Sequence, residues 1–84
     1  MELIWITEAN YIGDYKVRLK FNNDVQGIVD FESHLNLPIF LPLKDIIYFK
    51  KFKLNSWTIE WENGADFSPE FLYQLSTIDK LQVV

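Results

Sequence analysis

From Tyr15 to Phe21 apolar and polar side chains alternate without interruption, with Tyr15, Val17, Leu19 and Phe21 on one side and Lys16, Arg18 and Lys20 on the other. A period of two marks a strand with one buried face. Leu3 to Tyr11 reads as the strand before it; its run Leu3-Ile4-Trp5-Ile6 is apolar at consecutive positions, as in a strand covered on both faces. Gly13-Asp14 makes the turn between them. Beyond Phe21, Asn22-Asn23-Asp24 supplies residues that tolerate positive φ, and Val25 to Phe31 resumes as a third strand, with Gly27 inside it at a bulge or a close backbone approach. The pattern predicts a three-stranded meander.

Between Glu32 and Pro42 the alternation fails, because Pro38 and Pro42 remove ladder donors and push the residues before them out of helical space. An irregular, apolar crossover is expected there. Leu43, Ile46, Ile47 and Phe49 then recur at helical spacing, which predicts one or two helical turns starting near Pro42. Phe52 to Leu54 and Trp57 to Trp61 read as a second hairpin joined near Asn55-Ser56, with Trp57, Ile59 and Trp61 on one face and Thr58 and Glu60 on the other. Asn63-Gly64 ends it. Ser68 as N-cap, Pro69 as first helical residue and Glu70 as an acid favoured by the helix dipole open a last helix that should bury Phe71, Leu72 and Leu75. A capping box is absent, since Phe71 occupies its third position, and Ile78 to Val84 reads as a frayed tail. The fold class expected is α+β: a small antiparallel sheet of about five strands with one or two short helices, in a single two-layer domain over residues 1–84.

Length changes this picture only by making it tight. A chain of 84 residues has room for one core, and the scaling of surface with mass allows about 64% of its surface to be buried. Aromatic residues are 17% of the chain, so it has the means to offset its ordering entropy and fold. A net charge of −4 argues against the diffuse basic field of most nucleic-acid binders. With no cysteine, disulfides, thiol catalysis and cysteine zinc sites are excluded. The start, MELIWITEAN, lacks a basic n-region and its apolar run is broken by Thr7 and Glu8, so neither a signal peptide nor a membrane span is expected, and a cytoplasmic location is.

Candidate chemistry is sparse. Histidine is the usual base near neutral pH, and His34, the one histidine, lies in Ser33-His34-Leu35 in the crossover without the orienting partner that a triad needs. Glu60, Glu62, Asp66 and Glu70 could in form supply paired carboxylates or, with Asn63, an oxygen-ligand calcium loop. However, Glu60 and Glu62 share the face opposite the tryptophans, and the spacing of a calcium loop is missing. Gly13, Gly27 and Gly64 are too far apart to cradle a phosphate. No catalytic residue, metal or cofactor is assigned.

Two basic groups remain, Lys16, Arg18 and Lys20 on one strand face and Lys44, Lys50, Lys51 and Lys53 around the short helix. Interleaved with Tyr48, Phe49 and Phe52, the second group is similar to the stacking-plus-charge surface of single-strand binders, although a solvated face or a protected sheet edge explains it as well. Three tryptophans in so small a domain exceed what one thin core easily hides, and aromatics dominate protein interfaces. This predicts a protein contact patch whose anchors are Trp57, Tyr48 and Phe52.

Trp5-Ile6-Thr7, Gly13-Asp14-Tyr15, Phe21 with its turn, Val29-Asp30-Phe31, Pro42-Leu43, Phe49 and above all Trp61-Glu62-Asn63-Gly64-Ala65-Asp66-Phe67-Ser68-Pro69-Glu70 with Leu72-Tyr73 carry a resemblance. Together they resemble the bacterial domain of unknown function 2442 family, over about Trp5 to Tyr73. The segment from Trp61 to Glu70 is the specific part. Where that family has Asp-Gly in its second hairpin this chain has Asn23-Asp24, which predicts a longer turn or one of another type. The resemblance implies an α+β fold and a small protein encoded beside another short reading frame, a pairing like that of toxin and antitoxin. Some relatives carry a helix-turn-helix segment after the domain; the resemblance here stops before one, and operator binding is not expected. No catalytic residues come with the family. Its tail motif has a structural account: Asn63 and Gly64 for the turn, Asp66 or Ser68 for free amides at the helix start, and Pro69 for the first helical φ. An alternative account is a shallow site at that turn and helix start, where amides receive a partner's carboxylate or phosphate.

The reading that follows is a non-enzymatic protein-interaction module, the antitoxin-like half of a two-protein system. Its partner would be another small protein encoded nearby, with self-association left open. The alternative is a nucleic-acid-binding or regulatory domain using Lys44, Lys50, Lys51 and Lys53.

Overall fold

The computed structural model describes residues 3–82, with side chains as far as Ser76. The uninterrupted alternation becomes the central strand of an antiparallel meander: β1 (Ile6–Gly13), β2 (Lys16–Phe21) and β3 (Gln26–Asp30) pair in the order β1-β2-β3. Val17, Leu19 and Phe21 are fully buried, whereas Lys16 and Arg18 project to solvent and Lys20 is half-buried. Across the solvent face Lys16 stands beside Asp30, and Lys20 beside Glu8, to which it makes an ion pair of 3.5 Å. This basic row is a solvated face. Gly27 pairs in regular register with Leu19, so no bulge occurs there; a Cβ at Gly27 would lie 2.7 Å from the Ser76 Cβ. The close approach explains the glycine. The turn after β2 is of the three-residue kind, with Asp24 at φ 68° closing it.

After β3 the crossover is more regular than expected. Glu32–His34 and Pro38–Lys44 form 3₁₀ turns, with Pro38 opening the second. A short helix α1 (Ile46–Phe49) follows, and its N-cap is Asp45, whose carboxylate accepts from the Ile47 amide at 3.0 Å. Pro42 therefore lies inside the preceding 3₁₀ turn rather than at the helix start.

The second hairpin is shorter than its alternation suggests, with β4 (Lys53–Leu54) pairing β5 (Ile59–Glu60). Asn55 is the cause: its side-chain oxygen accepts from the amides of both Trp57 and Thr58 at 2.7 Å, winding the chain into a turn that takes Trp57 out of the strand. The five strands thus form two sheets, and the amide of Ile6 in β1 donates to the carbonyl of Trp57 in the turn between β4 and β5 at 3.0 Å.

Helix α2 (Pro69–Gln82) closes the domain against β3. Ser68 caps it by accepting from the Phe71 amide at 3.1 Å. Its backbone stays helical to Gln82, where a frayed tail from Ile78 was the expectation; Val83 and Val84 lie outside the described residues. Burial on this helix also departs from the expectation. Leu72 is fully buried and Leu75 half-buried, but Phe71 remains 37% exposed, against His34 and Phe67.

The core lies between the inner face of the meander and an aromatic group drawn from the second half of the chain. Phe31, Phe49, Trp61 and Phe67 meet at centroid separations of 5.1 to 6.3 Å. Tilted and edge-on contacts of this kind add to the large apolar area each ring buries. The indole of Trp61 donates to the carbonyl of Phe49 at 2.7 Å, so its one polar group is satisfied inside. The hydroxyl of Thr58 likewise donates to the Phe67 carbonyl at 2.7 Å.

Candidate functional site

Residues of α1 and of β4 with the segment before it wall a cavity of about 530 Å³, lined by Tyr48, Lys51, Phe52, Lys53, Trp61 and Glu62. Local structure explains the lining. Lys51 and Lys53 are two apart as the chain enters β4, so both reach the same side, and Phe52 turns inward to the edge of Trp61 at 6.1 Å. Tyr48 projects from α1, and its hydroxyl accepts from the Asn63 amide at 3.0 Å. Asn63 also donates through its side-chain amide to the carbonyl of Ile39 at 3.0 Å. One turn therefore fastens the crossover, α1 and the cavity together.

Of the side chains named as contact anchors, the fold brings Tyr48 and Phe52 to this cavity and leaves Trp57 elsewhere. Trp57 is 41% exposed and stacks on Trp5 at 6.0 Å, so it does not share the inward face of Ile59 and Trp61, which are buried. Of the four lysines, Lys51 and Lys53 line the cavity, and Lys44 and Lys50 do not. Among the described residues the ion pairs are those of Lys20, with Glu8 and Asp24, and these four lysines make none. Phe49, interleaved with them in sequence, is fully buried and offers no stacking surface. The carbonyl of Lys44 accepts from the Tyr15 hydroxyl, which holds the crossover to the meander.

The tail motif behaves as a turn and a cap. The Asn63 side-chain oxygen accepts from the Ala65 amide at 3.1 Å, Gly64 sits at φ 89°, Ser68 caps α2 and Pro69 is its first residue. Asp66 makes no cap; its backbone forms a single bridge to Glu60. His34 is half-buried, its ring edge-on to Phe71 at 5.4 Å. Among the described residues no three His, Asp or Glu side chains gather as metal ligands, the acids near Asp66 included.

Two members of the site escaped the sequence reading, Trp61 as its floor and Glu62 on its rim. Both arrive because the Trp61–Ala65 turn is pinned to α1 through Tyr48 and Asn63. The signal was present in the Asn-Gly pair, but its partner lies fifteen residues away.

The sequence model of a family described as "Protein of unknown function (DUF2442)" matches residues 6–77. No curated protein and no solved structure matches the chain.

Proposed function

The chain belongs to that family of proteins of unknown function, and from this premise we propose that it is a non-enzymatic protein-interaction module, the antitoxin-like member of a pair whose other half is a second small protein. The observation that supports the reading is where its surplus apolar surface lies. Among the described residues ten large apolar side chains are exposed, and four of them, Leu37, Ile39, Leu41 and Ile47, fall in one stretch of the crossover and α1. Single apolar side chains are ordinary on a surface, but several exposed within one short stretch next to an aromatic cavity supply apolar area of the kind interfaces use. The bond from Asn63 to Ile39 places this stretch next to the Tyr48–Phe52 cavity.

A nucleic-acid role is less well supported, since two of the four rings near the lysines, Phe49 and Trp61, are buried and cannot stack on bases. Among the described residues no helix is long and apolar enough to cross a membrane. The test is co-expression of the tagged chain with the product of its neighbouring gene. A stoichiometric complex that Ile39→Asp with Ile47→Asp weakens supports the reading. A strict monomer at high concentration that captures no such product overturns it.

A further inference from the structure

Resting on the interaction-module reading, we propose that the cavity between α1 and β4 is the seat of a short acidic segment of the partner polypeptide, which inserts one apolar side chain between Tyr48 and Phe52 while its carboxylates meet Lys51 and Lys53. The volume, about 530 Å³, is that of a pocket for one large side chain with its neighbours rather than of a packing defect. Charge complementarity selects the rest. Four lysines against Asp45 make residues 44–53 net +3 in a chain of net −4, so the remainder carries −7. A cationic rim on an otherwise acidic molecule attracts a few carboxylates placed against it, and it repels a long polyanion that must run on across the acidic surface. Glu62 on the same rim repels carboxylate and phosphate alike, so the two lysines outweigh it by one charge and there is room for one or two carboxylates.

The walls favour a peptide over a base. Phe49 and Trp61 are buried, which leaves only the half-buried Tyr48 and Phe52 on the cavity wall: enough to flank one apolar side chain, but not a platform for successive bases. What the cavity presents is an aromatic wall with two lysines and one glutamate around it, an arrangement suited to an apolar anchor with one or two carboxylates beside it.

Selection of a displayed random-peptide library on the full chain tests this directly. Enrichment of peptides carrying Asp or Glu around one Leu, Ile or aromatic residue is expected, and Lys51→Glu with Lys53→Glu should weaken a selected peptide about tenfold or more. Both lysines are exposed, so circular dichroism of the double variant should match the parent, which separates lost binding from lost folding. Neutral or basic selected peptides, no enrichment, or binding indifferent to the double variant each overturn the acidic seat. So does tight binding of oligothymidylate that falls about fiftyfold between about 50 and 200 mM salt, as four phosphate contacts would give. Dimerisation abolished by the double variant replaces the peptide with a second copy and also overturns it. Capture of the neighbouring gene product equally well by parent and double variant sinks the acidic seat while leaving the interaction-module reading intact.

Discussion

Phe21 and Trp61 each open a three-residue turn of the same design. The Phe21 amide donates to the Val25 carbonyl and the Asp24 amide to the Phe21 carbonyl, both at 2.9 Å; the Trp61 amide donates to Ala65 and the Gly64 amide to Trp61, again at 2.9 Å. In both, an asparagine at the second turn position accepts from the amide two residues on, Val25 in one and Ala65 in the other, at 3.1 Å. The left-handed position differs: Asp24 holds it at φ 68° and Gly64 at φ 89°. The ladders beside them differ as well. The first turn joins β2 and β3 over a ladder of five residue pairs, whereas the arms of the second meet at a single bridge, Glu60 to Asp66. A long ladder can impose a left-handed aspartate on its turn; a short one depends on a turn that is unstrained in itself. The second turn also carries the cavity, through the two bonds of Asn63 to Tyr48 and Ile39.

The largest effects come from the residues that open the turns. Trp61→Ala should cost about 3–5 kcal/mol from cavity formation alone, and it also strands the buried carbonyl of Phe49. Phe21→Ala removes a ring of similar burial but breaks no hydrogen bond of its side chain, so it should cost less than Trp61→Ala by about 1 kcal/mol. Urea denaturation at unchanged slope measures both. If Phe21→Ala were the costlier, the meander rather than the aromatic half would be the tighter-packed region.

How much of this contrast could be read in the residues depends on range. The meander was legible because Tyr15 to Phe21 alternates and its turns are spelled by adjacent residues, Gly13-Asp14 and Asn22-Asn23-Asp24. Trp57 to Trp61 alternates just as cleanly, yet only Ile59–Glu60 pairs, because the Asn55 side chain captures two amides and ends the strand pattern early. Asp45 ahead of Ile46 was a readable cap that the nearby Pro42 obscured. Tyr48, Phe52, Lys51 and Lys53 stood out from spacing alone, but in one group with Lys44, Lys50 and Phe49, which do not line the cavity. The burial of Phe49 and the inclusion of Trp61 and Glu62 follow from contacts between distant segments, which periodicity does not carry.

The asparagines sharpen the comparison next. Asn63→Ala removes the bond to Ala65 and the bond to Ile39, at about 1–2 kcal/mol in all, and it should raise amide hydrogen exchange in the crossover around Ile39. Asn23→Ala removes the bond to Val25 and one to the Tyr73 hydroxyl, so its exchange effect should appear near α2 instead. Exchange in the crossover that rises equally in both variants would contradict the division of labour. Gly64→Ala comes after these. A Cβ there meets nothing within 4 Å, so the cost is conformational only, about 1 kcal/mol.

Asp24→Gly is the smallest change and runs in the opposite direction. Relief of the left-handed conformation is worth up to about 1 kcal/mol, because aspartate tolerates that region better than a branched residue does. Against it stand the greater freedom of glycine in the unfolded chain and the loss of a long, exposed contact to Lys20 at 3.9 Å. The two sides nearly cancel, leaving a gain of a few tenths of a kcal/mol. Made together with Gly64→Asp, the exchange swaps the two left-handed residues between otherwise matching turns. If ladder length is what permits aspartate, the double variant should be less stable than the parent by close to the full cost of Gly64→Asp, about 1 kcal/mol. A double variant as stable as the parent would mean that the left-handed residue is interchangeable between the turns and that the short ladder tolerates aspartate as well as the long one does.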